Sequence, residues 1–203
     1  NFTSTSGVLF NKASTTIIAY PSNKVATSYS IPETVTSIGG TAFSGANFTN
    51  VTIPSRVTSI GWCAFEATGI TNINIPASVA SIAEFAFDNT GSLSSITVDP
   101  ANADYSSIEG VLFNEAATTL ITYPSQKDAT SYSIPETVTS IGNSSFQGAS
   151  LTSITIPETV TSIGNGAFSN STLTSVTIPS SVTTIEYGIF YGARFLTSVT
   201  IPS

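Results

Sequence analysis

LTSITIPETVTSIGNGAF, residues Leu151 to Phe168, is the stretch that decides how this chain folds. Ile154 and Ile156 alternate with Ser153 and Thr155, the period of a strand with one buried and one solvated face. Pro157 supplies no N–H to a ladder and so ends the strand. Val160 and Ile163 point inward again on the return path, Gly164 permits a turn, and Ala167-Phe168 packs beneath the next coil. A unit this short cannot enclose a core alone and must stack on copies of itself.

Those copies fill the chain. Ile-Pro stands at Ile31, Ile53 and Ile75, then Val98 with Pro100 one step late, and again at Ile134, Ile156, Ile178 and Ile201. The steps are 22, 22, 23, 36, 22, 22 and 23 residues, a period that specifies a stacked solenoid. A longer period of 103 residues lies over it. Ser28 to Gly39, SYSIPETVTSIG, recurs letter for letter at Ser131 to Gly142, and Gly7-Val8-Leu9-Phe10-Asn11 recurs at Gly110 to Asn114. We therefore expect one solenoid domain over residues 1–203, built of two blocks at about 1–100 and 101–203. The chain starts in mid-unit without an initiator methionine and stops just after a core motif, so it reads as a piece of a longer repeat array.

Two further features follow from the period. The aromatics Phe43, Phe65, Phe87, Phe146, Phe168 and Phe190 fall at one place in every coil, and stacking predicts a continuous buried spine. The 36-residue step is one coil enlarged by about 13 residues. Its β-prone runs, GVLF from Gly110 and TLITYP ending at Tyr123 and Pro124, flank the polar stretch Asn114 to Thr118. This predicts a hairpin there and another at Gly7 to Tyr20, each projecting from the solenoid edge.

The units fit the spacing L-x-x-L-x-L at Leu151, Ile154 and Ile156. The whole pattern, LTSxTIPxxVTSIGxxAF, resembles the BspA-like leucine-rich repeats of bacterial and protist surface proteins. Matching copies start at Phe48, Ile70, Leu93, Leu151, Leu173 and Leu196, those at Leu93 and Leu196 being partial. The resemblance implies a mostly β leucine-rich repeat solenoid, with one parallel strand per 22–23-residue coil, short helical turns and edge hairpin inserts. It also implies a secreted or cell-surface protein with an adhesive role. The sequence departs from the common repeat where Asn or Cys usually follows the strand. Thr34, Arg56, Ser78, Thr137, Thr159 and Ser181 stand there, and the five hydroxyls are expected to bond neighbouring backbone instead.

Composition excludes several functions. With no histidine, no histidine-based triad can form, and the commonest metal ligand is missing. Five basic residues against twelve acidic ones give a net charge of −7, which disfavours nucleic acid and anionic membranes. No apolar run approaches the roughly 18 residues of a membrane span. Cys63 is the single cysteine, so no intrachain disulfide exists, and it reads as a packing residue. Glu136 and Glu158 stack in neighbouring coils but read as solvated turn residues. Asp99, Asn102 and Asp104, near Glu109, are spaced loosely like calcium ligands but lack the glycines of a calcium loop, and an Asx turn is favoured. No catalytic residue, metal ligand or cofactor is assigned.

The candidate contact surface is the concave strand face: Asn50, Thr52, Asn72, Asn74, Ser95, Thr97, Ser153, Thr155, Ser175 and Thr177. Short hydrogen-bonding side chains lose little entropy on binding and suit a glycan or another protein's polar surface. Trp62, Tyr187 and Tyr191 lie outside the strands and are expected to be partly packed. The expectation is a non-enzymatic, monomeric adhesion or interaction module that binds an extracellular protein or glycan. A passive spacer in a longer surface protein is the alternative, and an ice- or mineral-face binder a remote third.

Overall fold

The structure, a computed structural model, describes residues 1–201; Pro202 of the last Ile-Pro pair lies outside them. The first block runs β1 (Phe2–Thr5), β2 (Val8–Asn11), β3 (Thr16–Ala19), β4 (Ser28–Ser30), β5 (Ser37–Ile38), β6 (Asn50–Thr52), β7 (Ser59–Ile60), β8 (Asn72–Ile75), β9 (Ser81–Ile82) and β10 (Ser95–Val98). The second runs β11 (Tyr105–Ile108), β12 (Val111–Asn114), β13 (Thr119–Thr122), β14 (Ser131–Ser133), β15 (Ser140–Ile141), β16 (Ser153–Thr155), β17 (Ser162–Ile163), β18 (Ser175–Thr177) and β19 (Ser198–Thr200).

A regular coil contributes one longer strand, a Pro-led turn and one two-residue strand; the coils of β10 and β18 lack the short strand. The longer strands β10-β8-β6-β4 form a parallel sheet, and the short strands β5, β7 and β9 continue in parallel from β3. The second block repeats this with β13, β15 and β17 on one side and the parallel pairs β14-β16 and β18-β19 on the other. Val35, Val57, Val79, Val138 and Val160 lie fully buried between the two sheets, with Ile38, Ile60, Ile141 and Ile163 beside them. Each such side chain contributes about 1.5–3 kcal/mol by leaving water.

Serine and threonine make up about a third of the chain, and the stacking explains why. The Thr49 and Thr71 hydroxyls donate to the Thr27 and Thr49 carbonyls, and Thr152, Thr174 and Thr197 do the same to Thr130, Thr152 and Thr174. Thr34, Ser78, Thr159 and Ser181 likewise reach carbonyls of the preceding coil, as expected of the residues that replace the usual amide. Among the described residues Thr137 makes no such bond.

The return segments are not helical: among the described residues there is no helix. Two residues four apart in these segments adopt positive φ, as at Thr41 (57°) and Gly45 (70°), Cys63 (49°) and Ala67 (51°), Ser144 (49°) and Gly148 (65°). A left-handed residue in every turn stops an α-helix from propagating. The chain instead makes tandem turns whose alternate N–H groups donate to the next coil: Thr41 to Trp62, Phe43 to Ala64, Gly45 to Glu66. Gly164 serves close approach rather than a turn, for a Cβ there would sit 2.6 Å from the Asn143 nitrogen.

The inserts also differ from the expected projecting hairpins. The predicted hairpins are present as β2-β3 and β12-β13, but a third antiparallel strand, β1 or β11, joins each. The meander is built into the wall, with Val111, Leu112, Phe113 and Leu120 wholly buried. Asn11 and Asn114 fix the turns, each accepting two backbone N–H groups, those of Thr15 and Thr16 and of Thr118 and Thr119.

The aromatic spine is correspondingly two spines. Tyr20, Phe43, Phe65 and Phe87 follow one another at 5.7, 5.1 and 5.7 Å between centroids. Tyr123, Phe146, Phe168 and Phe190 do so at 5.1, 5.3 and 5.7 Å. Among the described residues no ring contact joins Phe87 to Tyr123, and the buried apolar residues form two clusters, the first taking in Leu112 of the second insert.

Candidate functional site

The strand-face residues stand where their alternation puts them. Asn50, Thr52, Asn72, Asn74, Thr97, Ser153, Thr155, Ser175 and Thr177 are exposed, and Ser95 is half-buried. Ser28, Asn50, Asn72 and Ser95 form one in-register row, and Ser131 and Ser153 begin its counterpart in the second block. The ten residues do not form a single array. The second insert folds over Ser95, where a Cβ on Gly110 would lie 2.7 Å from the hydroxyl, and the Ile96 N–H donates to the Gly110 carbonyl at 2.9 Å. Two patches result: the Asn-rich one from Asn50 to Thr97, and the hydroxyl-only one from Ser153 to Thr177. The asparagines are partly engaged within the protein, Asn72 donating to Thr71 and Asn74 accepting from Thr97. Trp62, Tyr187 and Tyr191 are 55 %, 87 % and 73 % exposed, more open than expected.

A second feature sits at the junction of the blocks: a cleft of about 510 Å³. One wall is Ile82 to Asp88 of the last coil of the first block; the other is drawn from Ile121, Thr122, Ser140 to Ser144 and Ser162 to Asn165, with Glu186 at its end. Side chains span it in place of a backbone ladder. Asn143 Nδ2 donates to Glu84 Oε1 at 3.2 Å, and the Asn89 N–H donates to Gln147 Oε1 at 2.8 Å. The Tyr105 hydroxyl accepts the Ile82 N–H at 2.7 Å, capping the end of β9. Burial raises the Asp88 carboxyl above its usual range, and the Glu66 carboxylate raises it further; the Ser144 hydroxyl and the Asn89 N–H oppose this. Asp88 Oδ1 is shut off from solvent with no hydrogen-bond partner.

Sequence reasoning missed this cleft. Its signals were the 36-residue step, and two departures just before it: Ala83 where every other coil but the last has Gly, and Phe85 where the others have Thr, Cys, Ser or Gly. Phe85 holds φ at 59°, a conformation costly for a bulky side chain.

The remaining candidates resolve as structure. Asn102 accepts from the Asp104 and Tyr105 N–H groups and donates to the Pro76 and Val79 carbonyls, while Asp99 accepts from Ala101. That is the expected Asx turn, and no cluster of metal-ligating side chains occurs among the described residues. Glu158 accepts the Ser180 hydroxyl. Cys63 is buried, and its thiol is pushed up to about 11 by burial and by Glu66 and Asp88, so it stays protonated. Among the described residues no helix is long and apolar enough to cross a membrane.

Comparison with known proteins gives a consistent picture. The family model described as "BspA type Leucine rich repeat region" matches residues 19–129 and 122–203, in 6 copies. A leucine rich cell surface protein from Faecalibacterium prausnitzii is 30 % identical, with a TM-score of 0.70, over 87 % of this chain and 60 % of that one. A leucine-rich repeat protein from Eubacterium ventriosum is 26 % identical with a TM-score of 0.66, over 87 % of this chain and 66 % of its own. The pneumococcal vaccine antigen PcpA shares the fold, with a TM-score of 0.63 at 19 % identity over 98 % of this chain and 70 % of that one. This chain thus spans less than two thirds of the first two structures. No curated protein matches it.

Proposed function

Since the chain belongs to the BspA-type leucine-rich repeat family, we propose that it is a non-enzymatic, cell-surface or secreted interaction module that binds an extracellular protein or glycan through its strand face. The observation that carries this reading is the exposed, in-register row of Ser, Thr and Asn side chains on the parallel strands. Neighbouring rows are one strand spacing apart, roughly 4.8 Å, so a ligand meets hydroxyl and amide groups at a regular interval. The cell-surface setting rests on the similarity to the Faecalibacterium protein, which is itself a surface protein. Assembly into a tall, narrow array also suits a passive spacer, and the recurrence of Ser28 to Gly39 unchanged at Ser131 to Gly142 favours that second reading.

One experiment separates the two. The purified chain is applied to an array of matrix proteins and glycans at physiological salt, beside a variant with Asn72→Arg, Asn74→Arg, Ser153→Arg and Thr155→Arg. Binding by the parent and its loss in the folded variant support the strand-face reading. Binding unchanged by the substitutions overturns it, and no binding by either protein leaves the spacer.

A further inference from the structure

The backbone ladder that joins neighbouring coils stops at the inter-block cleft. Elsewhere, up to Phe190 in the last coil, the N–H of each spine aromatic donates to the next coil: Tyr20 to Ala42, Phe43 to Ala64, Phe65 to Ala86, Tyr123 to Ser145, Phe146 to Ala167, Phe168 to Ile189. The series is interrupted at Phe87. Among the described residues neither the Phe87 nor the Phe85 N–H finds an acceptor. The Ile82 carbonyl is similarly placed. Its counterparts Ile38, Ile60 and Ile141 accept from Gly61, Ala83 and Gly164, but Ile82 has no donor among the described residues. All three residues line the cleft. An unpaired backbone group shut away from water costs about as much as a lost hydrogen bond, and an open strand edge is a template for another strand.

The charge of the cleft narrows the occupant. Glu84, Asp88 and Glu186 line it, and none of the chain's five basic residues does. Asp88 Oδ1, buried without a partner, is an acceptor waiting for a donor. Glu84 keeps capacity beyond its one bond to Asn143. The volume falls in the range of ligand clefts, roughly 300–1,000 Å³.

We propose that the inter-block cleft docks an extended segment of a partner protein that carries a lysine or arginine. The segment's backbone pairs with the Phe85 N–H, the Phe87 N–H and the Ile82 carbonyl, and its cation reaches Asp88 and Glu84. Main-chain pairing supplies affinity in this mode of recognition, and the side-chain contact supplies selectivity. A neutral glycan would meet the N–H groups but leave the carboxylates without a counter-charge, so the basic peptide is the better fit. The site shares no residue with the strand face, and its test is independent of that surface.

The probe is the pentapeptide acetyl-Val-Thr-Lys-Val-Thr-amide, titrated into the full chain labelled with nitrogen-15, beside the same peptide with Glu for Lys and beside spermidine. The Lys peptide should bind and shift the Phe85 and Phe87 amide signals. The Glu peptide should bind at least tenfold more weakly. Asp88→Asn, shown to be folded by its unchanged amide spectrum elsewhere, should weaken the Lys peptide about tenfold. Equal binding of the two peptides would overturn the proposal, as would binding that leaves both amides unmoved. Spermidine binding as tightly as the Lys peptide would reduce the cleft to a cation site and overturn the strand pairing. Absence of any binding at millimolar peptide would overturn the whole.

Discussion

At the scale of single residues, the most informative positions break the repeat's own chemistry. Tyr123 heads the second aromatic spine where every later coil has Phe, and its hydroxyl is buried without a partner. The same burial pushes the phenol up to about 12. An unsatisfied buried hydroxyl costs about 1–3 kcal/mol, so Tyr123→Phe should stabilise the chain by about 1 kcal/mol, visible as a later midpoint in urea unfolding. Asp88 is the acidic analogue. Its raised carboxyl means that the folded chain holds this proton more tightly than the unfolded one. The stability it contributes is full below the unfolded value near 3.8 and is lost as pH climbs through the raised folded value. Asp88→Asn should therefore raise the Tm at pH 7, and the gap to the parent should close by about pH 3 in paired thermal melts.

At the scale of elements, the inserts hold the blocks together, and Asn102 is the pin. It is 7 % exposed, and its amide makes four hydrogen bonds, two to the first block's Pro76 and Val79 carbonyls and two to the chain entering β11. Asn102→Ala strands those buried groups and should cost about 3 kcal/mol by chemical denaturation. Asn102→Asp, which keeps the shape and the two accepted bonds but loses the two donated ones, should be destabilising too. The sequence made the coil legible because its buried positions recur: the Ile-Pro pair, the Val, the Ile-Gly and the Phe each land where the spacing puts them. It concealed the left-handed turns, since Thr41, Cys63, Ala67 and Ser144 carry no mark of a positive φ as glycine does. It also concealed the fate of the inserts. A run such as Val111-Leu112-Phe113 reads as a hairpin arm whether it projects or packs, and only its burial decides, Leu112 in the first block's cluster and Val111 and Phe113 in the second's. The strand face was legible as a set of side chains but not as two patches, because the separation arises from Gly110 seating on Ser95, a contact between elements far apart in the repeat pattern.

At the scale of the whole molecule, stability is close to a sum over nearest-neighbour interfaces, and one interface differs from the rest. Within a block, coils share backbone rungs, hydroxyl rungs and stacked rings. Between blocks they share the Glu84–Asn143 and Asn89–Gln147 contacts, the Tyr105 cap, one backbone rung from Gln126 to Leu93, one hydroxyl rung from Ser125 to Thr90, and the insert. Hydrogen exchange should register this directly: the Phe87 amide should exchange faster than its counterparts at Phe65 and Phe168, and the Phe85 amide faster than its counterparts at Ser144 and Gly166, all of whose N–H groups lie in the ladder. The opposite ranking would mean that the junction is as tightly closed as any other. The interrupted ladder also has a mechanical meaning. A rod of stacked coils pulled from its two ends is loaded along its rungs, which open one after another rather than all at once. The rung-poor junction is then the place that yields first, and a molecule so built would lengthen under tension by parting into two intact halves before either half unwinds.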